Sequence, residues 1–200
     1  MPDVNSPAQP NLPSMPSGVF YVNYFDGISD SKVRGLMGLC TEIISKVKPA
    51  HLYFALSSPG GSVAAGITLY NFLKALPVEI SMHNIGSVDS IATVIFMAGA
   101  RRYACKHSRF LFHGVALTFG KDQVVNSAQM NEHISGLEQD EGRIKELIAE
   151  RSELNAGELD ALFRQGETKD PAFALQKRII DDIRDFSIPD GAQVVTANFQ

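Results

Sequence analysis

Short apolar segments alternate with longer amphipathic ones between Val19 and Phe112, and this alternation constrains the fold more than any other feature. The short segments are rich in aromatic and aliphatic residues and predict strands. The longer ones have apolar residues at spacings of three and four and predict helices. In chain order, the predicted strands and helices are Val19–Phe25, Asp30–Val47, His51–Leu56, Ser62–Leu76 and Glu79–Ile85. This order predicts βαβ units stacked around a parallel sheet.

The pattern continues with a turn, a short helix and two strands, predicted at Gly86–Asp89, Ser90–Ala98, Arg101–Cys105 and Arg109–Phe112. The strands are short and apolar, as a sheet covered on both faces requires. We therefore expect an α/β fold of repeated βαβ units.

One long helical pattern follows, from Asp122 to Arg151. A helix of this length extends roughly 45 Å at 1.5 Å per residue, so we expect it to project from the domain. Its apolar side then requires a partner. Two shorter helices should follow, one capped by Asn155 and Glu158 and one that starts at Asp170 before a proline.

The two ends of the chain predict little regular structure. We expect a disordered, proline-rich leader over residues 1–18, one domain over residues 19–186 and a tail over residues 187–200. The leader has no charged start and no apolar centre, so it does not predict a secretory signal. The longest apolar run, Ile91–Ala100, is about half the length of a membrane span. We therefore expect neither secretion nor membrane association.

Composition excludes some partners. The formal net charge is −4 and no basic stripe is present, so nucleic acid is not expected as a partner. Cys40 and Cys105 lie far apart in apolar stretches, without the spacing of a metal site. We expect buried, reduced thiols, and no metal or cofactor.

Two glycines lie between a predicted strand and a predicted helix, in the run from Ser57 to Ser62. Gly60 and Gly61 leave backbone N–H groups without side-chain cover at a helix start, where such groups stabilise a negative oxygen. An ordinary strand-to-helix turn is the alternative interpretation.

Ser90 ends a predicted turn and opens an apolar helix. This order resembles a nucleophile elbow, although it is not the G-x-S-x-G motif, and it would place the N–H of Ile91 near an oxyanion. The alternative is that Ser90 only caps the helix. His113 closes an apolar strand, at the edge where open α/β sheets bind ligands, and a structural role is its alternative.

The order and spacing of these motifs carry more information than any one of them. The segments concerned are Ser58–Val63, Ala65–Gly66, Leu69–Tyr70, Ile85–Gly86 with Ser90, Ala98–Ala100 and Ser108–His113. Together they resemble the Clp protease proteolytic subunit family, over about residues 19–183. The spacing from Gly61 to Ser90 needs no gap, and that from Ser90 to His113 is slightly shorter than in the family.

The resemblance implies a crotonase-like fold with a protruding handle helix, supplied here by Asp122–Arg151. It implies a homo-oligomer of two rings stacked through the handles, which hydrolyses unfolded proteins or peptides inside a chamber in the cytoplasm. It also implies a serine endopeptidase with Ser90 as nucleophile and His113 as general base. The N–H groups of Gly61 and Ile91 would form the oxyanion hole.

The third catalytic residue is less well defined. The family has an aspartate before the last helix. Aligning the end of that helix puts Gly166 at its place, whereas aligning the local Thr-Lys-Asp run puts Asp170 there. We expect Asp170 to be the acid, with Glu167 as the alternative and no acid as a third outcome. Asp170 also has a structural explanation, because aspartate before proline starts helices.

Two further departures bear on function. Gly114 follows the histidine where the family usually has glutamine and proline. The leader does not resemble the family's N-terminal segment, which forms the axial pore and helps an AAA+ unfoldase to dock, so coupling to such an ATPase is in doubt. Two alternatives to an active peptidase remain open: a catalytically impaired ring subunit and a crotonase-type acyl-CoA enzyme.

Overall fold

The computed structural model describes residues 18–121 and 124–199. Its strands are β1 (Val19–Phe25), β2 (His51–Ser58), β3 (Glu79–Asp89), β4 (Arg101–Ala104), β5 (Arg109–Phe112), β6 (Glu167–Lys169), β7 (Asp182–Ile183) and β8 (Gln193–Ala197). Its helices are α1 (Asp30–Lys46), α2 (Val63–Ala75), α3 (Ala92–Phe96), α4 (Ser127–Ala149), α5 (Ala156–Gln165) and α6 (Pro171–Gln176). The leader expected over residues 1–18 lies outside the described residues, apart from Gly18.

One mixed sheet organises the molecule, in the order β6-β5-β3-β2-β1-β8, with β4 pairing both β3 and β7. Every pair is parallel except β5 with β6. The first three strands and the helices between them have nearly the predicted bounds. The α/β fold of repeated βαβ units is therefore confirmed.

Side-chain caps set where the helices begin. Asn126 and Asn155 each form a capping box, with Gln129 and Glu158 respectively, and Asp170 accepts a hydrogen bond from the N–H of Phe173. The Asn126 cap explains why α4 starts at Ser127 and not at Asp122 as predicted, because capping satisfies the first free N–H groups of a helix.

The main core lies between the sheet and helices α1 to α3. Alternate residues of β1 (Phe20, Val22 and Tyr24) point into it, where Cys40 of α1 is also buried. Burial raises the pKa of the Cys40 thiol to about 12, as expected of an unreactive thiol. The opposite face of the sheet carries an aromatic cluster that includes Tyr21, Tyr53, His83 and Tyr103, against which Phe186 lies.

The structure also differs from the predicted elements elsewhere, and the two-residue β7 was not predicted. The segment Gly86–Asp89, predicted as a turn, is the last part of β3 after an irregularity in its pairing with β2. The tail contains β8, which pairs with β1. The segment after α5 forms β6, which was not predicted. No helix within residues 18–121 and 124–199 has the length and apolarity to span a membrane.

Candidate active site

Ser90 lies in a strained turn between β3 and α3. Its φ angle is 59°, in the left-handed region that costs a residue with a side chain roughly 1–2 kcal/mol. The Ser90 N–H donates to the carbonyl of Leu111 over 2.8 Å, so the turn is attached to β5. Such strain at a half-exposed serine is typical of a nucleophile turn.

The Gly60–Gly61 segment lies directly against this turn. A Cβ atom on Gly60 would come within 2.7 Å of the Ser90 Cβ, and one on Gly61 would come within 2.1 Å of the Ile28 carbonyl oxygen. The N–H of Ile28 bonds the Gly60 carbonyl at 2.8 Å, which fixes the segment to the end of β1. Only glycine allows this close approach.

Two backbone N–H groups beside Ser90 have no acceptor among the described residues, namely those of Gly61 and Ile91. Ile91 is buried whereas Gly61 is exposed, and buried backbone donors are nearly always paired, so the free Ile91 donor beside a serine indicates a site for an oxygen atom of a ligand. These are the two groups predicted to form an oxyanion hole.

His113 follows β5 and faces the same cavity as Ser90. Its Nδ1 lies 2.8 Å from the carbonyl oxygen of Gly114. A carbonyl oxygen can only accept, so Nδ1 carries the proton and Nε2 of the neutral ring is free to accept one. Within the described part of the chain, the Ser90 hydroxyl oxygen makes no hydrogen bond as donor or acceptor, so the two side chains share a cavity without bonding.

The position opposite His113 in the β5–β6 pair is a glycine. Phe112 pairs with Glu167, so His113 and Gly166 face each other one step further, and a Cβ on Gly166 would lie 3.9 Å from the His113 Cβ. The helix-end alignment had put Gly166 at the place of the family's acid. Gly166 has a φ of 66° and caps α5.

Neither predicted carboxylate contacts His113. Glu167 shares the Phe112 side of the pair, which is the side away from His113, and forms an ion pair with Lys169. Asp170 lies roughly 10 Å beyond Glu167 at 3.4 Å per residue, where it caps α6. Ser90 and His113 therefore line one cavity, whereas neither Glu167 nor Asp170 forms a hydrogen bond or ion pair with His113 among the described residues.

Gly114, where the resemblance implied glutamine, lies close to α4 and α5. A Cβ at Gly114 would meet a carboxylate oxygen of Glu141, on α4, at 3.2 Å. The Gly114 N–H donates to the Phe163 carbonyl over 3.0 Å, which attaches Gly114 to the end of α5. Sequence reasoning missed the Gly114 carbonyl as a partner of His113, because a main-chain carbonyl leaves no residue signature.

The shared cavity has a volume of about 250 Å³. Apart from Ser90, His113 and Thr93, its walls are mostly apolar. The apolar residues come from six elements or loops and include Pro59, Val63, Phe112, Val115, Ile144 and Phe163. It has room for about one large side chain and presents that side chain beside the Ser90 hydroxyl.

Comparison with known proteins gives a consistent picture. The Clp protease family model matches residues 26–186. The chain is 30% identical over 97 residues to an ATP-dependent Clp protease proteolytic subunit of Bdellovibrio bacteriovorus, covering 48% of this chain and 44% of that protein. It is 36% identical over 90 residues to the ATP-dependent Clp protease proteolytic subunit 3 of Synechococcus sp. strain CC9605, covering 44% and 43%. The aligned stretch thus spans less than half the length of these relatives. Because the family match covers most of the chain, this protein belongs to the Clp protease family.

Proposed function

We propose that this chain is a serine endopeptidase that cleaves unfolded polypeptides, with Ser90 as nucleophile and His113 as general base. The observation that carries the proposal is the convergence on one cavity of a strained serine, a histidine with a free Nε2 and two unpaired backbone donors. Family membership supports it.

In the proposed reaction, the Ser90 oxygen attacks the peptide carbonyl while His113 Nε2 takes the hydroxyl proton. The N–H groups of Gly61 and Ile91 bind the oxyanion, and each such donor typically contributes about 10²–10³ in rate. His113 then gives the proton to the leaving amine, and a water molecule hydrolyses the acyl-enzyme by the reverse sequence.

The carbonyl of Gly114 would replace the third catalytic residue in one respect, because it accepts the hydrogen bond from His113 Nδ1. It fixes the tautomer of His113, but as a neutral group it stabilises the imidazolium less than a carboxylate would. We therefore expect a slower enzyme than one with a full triad. The apolar walls of the cavity favour an extended polypeptide that presents an apolar side chain.

We also propose that α4 joins copies of the chain into a closed assembly. The first half of α4 contributes no buried residue, and Met130 and Ile134 are 41% and 44% exposed. Exposed apolar residues on one helix favour a protein partner.

The test uses a fluorophosphonate probe, with mass spectrometry to locate the adduct. We expect labelling at Ser90, and we expect Ser90→Ala and His113→Ala to abolish it. An assembled but unlabelled protein would contradict the proposal and favour an impaired ring subunit. Binding of an acyl-CoA thioester without peptide cleavage would favour the acyl-CoA enzyme.

The same assay decides the role of Asp170. Asparagine caps helices as well as aspartate does, so Asp170→Asn keeps the cap and removes only the charge. If Gly114 orients His113, the labelling rate of Asp170→Asn and Glu167→Gln will match that of the wild type. A loss of several orders of magnitude in either variant would identify the acid.

A further inference from the structure

An ion pair with a buried carboxylate lies immediately next to the proposed nucleophile. Asp89 is the last residue of β3, and Arg109 is the first residue of β5. An Nη2 atom of Arg109 lies 2.9 Å from Oδ2 of Asp89, whose side chain is 6% exposed against 56% for Arg109. The pair therefore joins the strand that leads into Ser90 to the strand that leads into His113.

The Asp89–Arg109 pair is expected to add little to the stability of the fold. The second carboxylate oxygen of Asp89, Oδ1, is buried and has no hydrogen-bond partner within the described residues. Burying a carboxylate with one oxygen unpaired is unfavourable, and an exposed cation such as Arg109 offsets little of that cost. A role outside stability would explain why Asp89 is there.

The position of the pair suggests that role. The ladder between β3 and β5 has only three register pairs, Ser87 with Arg109, Val88 with Phe110 and Asp89 with Leu111. Beyond it the chain turns at Ser90, held by the bond from its N–H to Leu111. So short a ladder only weakly prevents β3 from sliding along β5. The Asp89–Arg109 contact crosses it diagonally and resists the movement that would shift Ser90 relative to His113.

We propose that Asp89 and Arg109 are positioning residues that hold the Ser90 turn in register with His113. The inference rests on the proposed function, since it gives the pair a role in the Ser90–His113 reaction. Misplacing a reacting group by about 1 Å can reduce a rate about 10²-fold.

The experiment compares Asp89→Ala, Arg109→Ala and the double variant by the rate of Ser90 labelling with a small fluorophosphonate. We expect each single variant to label at least about tenfold more slowly, and the double variant to be no slower than the worse single one. Asp89→Asn, whose amide oxygen can still accept from Arg109, should recover part of the rate. The thermal midpoint of Asp89→Ala should stay level or rise, because the variant removes a buried unpaired oxygen. A purely structural role predicts the opposite.

The chain offers a matched control at the other end of β3. Glu79 and Arg101 are the first residues of β3 and β4 and form an exposed pair at 3.2 Å. Glu79→Ala should leave the labelling rate unchanged. An unchanged rate in Asp89→Ala, or a loss that Glu79→Ala reproduces, would overturn the proposal.

A second readout does not depend on activity. Amide hydrogen exchange at Ser90 reports the bond to Leu111, and the proposal predicts faster exchange there in Asp89→Ala than in the wild type or Glu79→Ala. If the wild type does not label, the proposed function fails and exchange still decides the role of the pair. Equal exchange in all three proteins would refute that role.

Discussion

At the scale of single residues, Gly166 is a position from which an added carboxylate could reach His113. A side chain there would start 3.9 Å from the His113 Cβ, and aspartate tolerates the left-handed backbone of Gly166 better than most residues do. We expect Gly166→Asp to raise the rate of Ser90 labelling and of peptide hydrolysis by about tenfold or more, since the acid of a triad contributes about 10⁴.

Gly166→Asn is the control for this change, because it imposes the same backbone strain without the charge. If the asparagine variant gains as much as the aspartate variant, the added carboxylate is not acting on His113.

His83 provides a second test, away from the cavity. Its Nε2 lies 3.1 Å from the Arg184 carbonyl, and its Nδ1 lies 2.9 Å from the Tyr53 hydroxyl. Burial is the largest cause that holds the pKa of His83 below its usual value, and the charge of Arg184 lowers it further. The hydrogen bond to the Arg184 carbonyl and the charge of Asp185 raise the pKa of His83 and so act against this shift. The folded protein therefore keeps His83 neutral at a pH where the unfolded chain binds a proton.

The stability of the protein should consequently fall as the pH drops below about 6.5, the ordinary histidine pKa. One such group contributes a slope of at most about 1.4 kcal/mol per pH unit. Urea unfolding at several pH values should show a shallower slope in His83→Asn than in the wild type. A residual slope should remain, because burial also lowers the pKa of His51. Equal slopes in both proteins would contradict this assignment.

At the scale of elements, the sequence predicts those whose burial pattern is strong. Strand β1 and helix α1 were predicted because their apolar residues face one core. Strand β6 has three residues and no buried one, and β8 has only Ala197 buried, so neither has a pattern that differs from a loop. Both are defined by hydrogen bonds to a distant strand.

The dependence on distant pairing also explains which residues of the candidate site could be predicted. Ser90 could be chosen because it follows a predicted turn and opens an apolar helix, and His113 because it closes an apolar strand. The choice between Asp170 and Gly166 depended on the register of β6 against β5, which no local sequence feature gives. The bond from His113 to the Gly114 carbonyl could not be predicted from residue types, because every residue has a main-chain carbonyl.

At the scale of the whole molecule, a substitution on α4 can test the proposed assembly. We expect Ile134→Glu to convert the protein to smaller species in light scattering, because it places a charge in the apolar contact. The fold of the subunit should survive, since Ile134 is 44% exposed.

The exposed Gln139, on the same helix, gives the control. Gln139→Glu adds the same charge without removing apolar surface and should leave the mass unchanged. An unaltered mass in Ile134→Glu would exclude this part of α4 as the contact.

The pairing of β1 with β8 has a consequence for biosynthesis. Asn23 of β1 and Thr196 of β8 are neighbours 3.5 Å apart, yet 173 residues separate them along the chain. A ribosome therefore releases β1 long before its outer neighbour exists, and until then one edge of β1 is open to pairing with other chains. The sheet can be completed only after β8 has left the ribosome. We therefore expect the β1 edge to be the most aggregation-prone part of the nascent sheet.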